Sequence, residues 1–191
     1  MKRLIPCLMV VSICVPATFG AFDYTISDNY EFLVDLNSQS LLVTGAGALQ
    51  ITAKGESYIE VINTDPLQEN VGGIYTLGLD DYSTMNYYGG EMGGFRIYDE
   101  AEAVFSGGSI LGISSYQDSD IKKHITFICD VDSVKLTGNL LTGNWLDGKG
   151  SFSITLQNQS GYDSVYSNIQ FIPEPATMAL VVFGGLILKR K

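Results

Sequence analysis

The chain reads as all-β, a short parallel β-solenoid (β-helix-like) with a C-terminal β cap. Three observations predict this. Glycines and apolar pairs recur every 18 residues, and apolar residues alternate within each recurrence. No stretch of 21–170 carries the i, i+3, i+4 apolar stripe of a capped helix. A β-sandwich or jelly roll is the alternative, with each repeat folded as a hairpin rather than a coil.

Gly72, Gly90 and Gly108 set the period. At the same offset Ile74, Met92 and Ile110 coincide, as do Leu77, Phe95 and Ile113, and also Leu79 and Ile97. Asp81 falls on Asp99, Ser83 on Ala101, Met85 on Ala103 and Tyr87 on Phe105. A weaker copy lies upstream at 49–61, followed by an insertion at about 63–71 that carries Pro66. In a solenoid, equivalent residues stack about 4.8 Å apart and like residues form ladders. Recurrence in register therefore favours stacking over hairpins. The segment 23–35, with Tyr24, Ile26, Tyr30, Phe32 and Val34, is expected to cap one end of a β-repeat body spanning 21–120.

After residue 120 the spacing changes. Segments 125–131, 134–136 and 152–156 read as three strands separated by loops, and a last strand is expected at 165–171. Residues 121–172 would form a β cap or small sheet over the last coil.

Acidic residues outnumber basic ones 21 to 11, for a formal charge of −10. Five of the basic residues sit at the chain ends, which leaves Lys54, Arg96, Lys122, Lys123, Lys135 and Lys149 in the interior. Such a body repels phosphate backbones, which excludes electrostatically driven nucleic-acid binding.

Both ends look like addresses. Residues 1–20 place Lys2 and Arg3 before a short apolar run and small residues, the order of a secretory signal peptide cut between Gly20 and Ala21. Cys7 and Cys14 would leave with it. Cys129 then remains alone and reads as a buried small hydrophobe, since it has no internal disulfide partner. At the other end Pro173, Glu174 and Pro175 precede a 13-residue apolar run, 176–188, and the basic stop Lys189, Arg190 and Lys191. As a helix that run spans about 20 Å, short of the ~30 Å hydrocarbon core. It suits a temporary membrane anchor with a positive cytoplasmic flank.

This tail closely resembles the PEP-CTERM sorting domain of exported bacterial proteins. The resemblance covers residues 173–191 and includes all three parts in order. It implies an exosortase-type membrane protease as partner, the secretion machinery, and a Gram-negative-type cell that makes extracellular polysaccharide. Such tails also carry the label of an ice-binding C-terminal domain. That label follows the tail and not the body, and flat rows of Thr are missing here.

Candidate chemistry in the body is sparse. Asp81, Asp99 and Asp118 fall near successive repeats and form a candidate weak calcium ladder, because stacked carboxylates repel and hard cations relieve the repulsion. The plainer reading is solvated turn acids, so no cofactor is expected. Tyr82, Tyr87, Tyr88, Phe95, Tyr98 and Phe105 suit either a core ladder or sugar stacking. The single histidine, His124, reads as an exposed residue at a strand start, without nucleophile-elbow or metal-ligand spacing. The glycines of 89–94 lack a phosphate-loop pattern.

The function expected is therefore that of a non-enzymatic, exported cell-surface or extracellular-matrix protein. It would be held briefly at the inner membrane by its tail helix and could associate with extracellular polysaccharide. A carbohydrate-binding or carbohydrate-active solenoid is the alternative.

Overall fold

The computed structural model describes residues 21–68, 72–118, 122–146 and 148–173. The expected signal segment, with Gly20, lies outside the described residues, as do Glu174, Pro175, the apolar run 176–188 and the basic residues Lys189, Arg190 and Lys191. Among the described residues no helix is long and apolar enough to cross a membrane.

The described residues are all-β. Fourteen strands and one 3-10 turn (Val165–Asn168) occur, with no α-helix among them. Strands β1 (Tyr24–Ile26), β3 (Ser40–Val43), β5 (Tyr58–Val61), β7 (Thr84–Tyr87), β9 (Glu102–Phe105) and the start of β11 (Ile125–Thr137) pair in parallel, each with the next. Strands β2 (Tyr30–Asn37), β4 (Gly47–Lys54), β6 (Gly73–Leu79), β8 (Glu91–Tyr98) and β10 (Ser109–Tyr116) form a second parallel run. At one end the runs are joined. There β12 (Leu140–Trp145) lies antiparallel between β11 and β13 (Ser151–Leu156), and β13 pairs in parallel with β10. β14 (Ile169–Ile172) adds to the start of β11. The path nearly closes on itself, like a barrel, and leaves β1 and β2 as its free edges.

Register follows the sequence period. Leu77 pairs with Phe95 and Leu79 with Ile97, an offset of 18 residues. Phe95 pairs with Ile113, and Tyr87 with Phe105, at the same offset. Side chains along the central strands mostly alternate between inward and outward, so the pairing lays apolar rows across the runs. Ile51, Leu77, Phe95 and Ile113 make one fully buried row. Val61, Tyr87, Phe105 and Phe127 make the facing row. The rows meet where Phe95 packs edge-on to Phe105, with centroids 5.2 Å apart. Each such side chain contributes about 1.5–3 kcal/mol by leaving water.

The corners explain the punctuation. Ser38, Gly55, Asp81 and Asp99 all adopt positive φ, between 48° and 63°, where the chain leaves one run for the other. Asp tolerates this left-handed position because its short polar side chain bonds locally. The opposite corner needs glycine. Gly108 has φ +80°, and a Cβ there would sit 2.6 Å from the Tyr87 ring and 2.8 Å from the Gly90 carbonyl oxygen.

The strands depart from the sequence reading in four places. The parallel stack starts earlier than the weak copy at 49–61, since β3 already pairs Leu41 with Ile59 and Val43 with Val61. Segments 125–131 and 134–136 belong to one strand, bent where the register shifts between Asp130 and Lys135. Leu140–Trp145, read as loop, is a strand. Residues 165–168 form a 3-10 turn, capped by the Ser164 side chain, and only Ile169–Ile172 extends.

Candidate functional sites

The acidic corner gathers three carboxylates. Asp80, Asp81 and Asp99 each bring an oxygen within 4.8 Å of the others. The backbone N–H of Gly55 donates to Asp81 Oδ2 at 2.9 Å, and Lys54 Nζ lies 3.5 Å from Asp80 Oδ2. A hydrogen bond with Asp80 pushes the exposed Asp99 carboxyl above the usual range, aided by slight desolvation and by repulsion from Asp80 and Asp81. Asp118 does not join this group. Gln117 takes the next corner instead, and its side-chain amide donates to the carbonyls of Tyr98, Asp99 and Ala101. The three carboxylates could hold one hard cation through single oxygens, beside a lysine that already offsets part of their charge.

His124 is buried, not exposed. Its Nδ1 lies 3.1 Å from the Ala101 carbonyl oxygen, and its backbone N–H donates to Asn168 Oδ1 at 3.0 Å. The Asn168 amide donates in turn to Ser115 Oγ and Gln117 Oε1. This polar knot fastens the 3-10 turn to the end of the stack. Cys129 is buried, as its sequence setting indicates, and burial pushes its thiol up to about 11. The aromatic set divides. Tyr87, Phe95 and Phe105 are core, whereas Tyr82 and Tyr88 are exposed.

A second site lies on the outward face of the even-numbered run. A hollow of about 270 Å³ is floored by Gly93, Gly94 and Gly112 and walled by Leu67, Tyr75 and Gln157. A smaller hollow of about 150 Å³ adjoins it, lined by Gln50, Thr52, Gly78 and Tyr98. Arg96 lines both. Cross-strand register sets this arrangement, because Thr52, Gly78, Arg96 and Ser114 pair in a row, and Gln50, Thr76, Gly94 and Gly112 pair in the next. The insertion at 63–71 supplies Leu67, whose backbone N–H is held by Glu91 Oε2 at 2.7 Å. At one margin Tyr98 stacks flat on Tyr116, with centroids 4.5 Å apart and planes 10° from parallel, and Tyr162 meets Tyr116 edge-on. Sequence reasoning did not single out Arg96 as a site residue. The recurrence of Gly94 and Gly112 one period apart was the available signal.

No protein-family model, curated protein or solved structure matches this chain.

Proposed function

We propose that the protein is an exported, non-enzymatic cell-surface or extracellular-matrix protein whose fold is a short two-sided β-solenoid. The order Pro173, Glu174, Pro175, apolar 176–188, then Lys189, Arg190 and Lys191 carries the proposal. On this reading the secretion machinery removes 1–20 at Gly20–Ala21. The tail helix then holds the chain in the inner membrane, and an exosortase-type protease recognises the tail and removes it. The parallel pairing of odd with odd and even with even strands, in register, supports the solenoid. Calcium would be at most a weak ligand of the acidic corner.

The test alters the sorting motif alone. Replacing Glu174 with Ala and Pro173 and Pro175 with Gly should trap the protein in the membrane fraction with its tail uncut. Unaltered release of that variant would overturn the sorting reading.

A second reading, carbohydrate binding, is favoured by the open hollows on the outward face beside the stacked Tyr98 and Tyr116.

A further inference from the structure

We infer that the paired hollows around Arg96 bind an extended glycan bearing carboxylate groups, a uronate-containing polysaccharide strand. The inference rests on the carbohydrate-binding reading and narrows it to a ligand class and to named residues.

Charge distribution is the leading observation. The chain holds 21 acidic residues, yet among the described residues no carboxylate lines either hollow. Among the described residues the one ionic group lining them is Arg96, which is exposed and lies beside the Tyr98 hydroxyl. Ion pairs among the described residues engage Lys54 and Lys122, not Arg96. A guanidinium without an ion-pair partner among the described residues, on so acidic a surface, is matched to a carboxylate from outside, which it can grip with two parallel N–H donors.

The floor is the second observation. Gly78 and Gly94 sit inside strands with ordinary backbone angles. A Cβ at Gly78 would touch nothing within 4 Å, and one at Gly94 would meet only the Tyr75 carbonyl oxygen at 3.9 Å. Neither turn geometry nor packing demands glycine at these two positions. Glycine inside a strand weakens it relative to alanine, and it marks places where another group approaches the backbone closely. A flat sugar ring lying against the sheet is such a group.

The walls complete the chemistry. Gln50, Thr52, Thr76 and Gln157 offer neutral donors and acceptors for hydroxyls, and exposed Tyr75 offers a ring face. The hollows adjoin across neighbouring strands, so the occupant is a chain rather than a single sugar. The Glu91 carboxylate at the Leu67 wall already accepts the Leu67 N–H, and repulsion from the other acids is screened over about 8 Å at 0.15 M salt.

The test is calorimetric titration of the full chain at 0.15 M salt with two probes, oligogalacturonate and a neutral cello-oligosaccharide of equal length. Two variants accompany it. Arg96→Gln removes the charge from an exposed position, and Gly94→Leu fills the floor. Circular dichroism and the melting temperature verify that both fold. The expected result is binding of oligogalacturonate that weakens roughly 10- to 100-fold in Arg96→Gln, the loss typical of one charged hydrogen-bonded pair. Gly94→Leu should abolish it. Oligogalacturonate binding that both variants retain would overturn the site while leaving the carbohydrate reading standing. Binding of the neutral probe alone, lost in Gly94→Leu, would overturn the uronate assignment only. Binding of neither probe would overturn the site and the carbohydrate reading together.

Discussion

Phe127 lies flat against Trp145, with ring centroids 5.5 Å apart and planes only 4° from parallel. Phe127 belongs to the parallel run and Trp145 to the antiparallel strands that close it, so this contact joins the two halves of the core. Phe152 packs on both rings, and the Trp145 indole N–H donates to the Gly108 carbonyl at 2.8 Å.

Trp145→Ala should therefore cost about 3–5 kcal/mol, the range for emptying a buried aromatic site. Phe32, at the free β2 edge, is 70 % exposed, and Phe32→Ala should change stability by less than about 0.5 kcal/mol. Urea unfolding of both variants checks the contrast.

Two glycines should respond in opposite directions. Gly108→Ala forces a Cβ against the Tyr87 ring and the Gly90 carbonyl at φ +80°, and should lower stability by more than about 1 kcal/mol. Gly78→Ala meets open space and should be neutral or raise stability by up to about 1 kcal/mol. Melting curves recorded together decide this.

Asp99 sets a pH dependence. Its folded-state pKa lies above 3.8, so the folded chain holds that proton more tightly than the unfolded chain. The associated stability is present below the unfolded value and is lost as pH rises through the folded value. Asn is tolerated at positive φ, so Asp99→Asn should melt slightly higher than the parent at pH 7 and alike at pH 3. The gain should be a few tenths of a kcal/mol, because the group is well solvated. Calcium at its own dissociation constant would raise the parent melting temperature by only about 1 °C, and Asp99→Asn should lose that shift.

Cys129 should be silent in the folded state. With its thiol pushed up to about 11 and fully buried, it should resist a disulfide reagent at pH 8 and react at once in denaturant. Rapid labelling at Cys129 itself in the native protein, located by peptide mapping, would contradict the burial of the start of β11.

The central register was legible in the sequence because stacking sets like residues beside like. Leu77, Phe95 and Ile113 could be aligned by spacing alone, and they are neighbours in the sheet. The first strands were harder to read. Val34 pairs with Ile51 at an offset of 17, and exposed Phe32 and Leu33 break the alternation in β2. β12 was missed because Leu140 and Leu141 are adjacent and Gly143 interrupts the strand. That glycine makes room for the Phe152 ring, a partner supplied from another strand. His124 is buried where its backbone N–H meets the Asn168 side chain, 44 residues away, a pairing that no local pattern encodes. Arg96 stood out only as one interior cation among six. Its setting between glycine-floored hollows arises from four strands brought into register.

The most direct measurement is the intact mass of the protein recovered separately from membrane and medium. The account predicts a medium form that begins at Ala21 and ends within Pro173–Pro175, with the uncut tail confined to a minor membrane pool. A protein found only in membranes and still carrying 176–191 would contradict export and release, and would make the tail a permanent anchor.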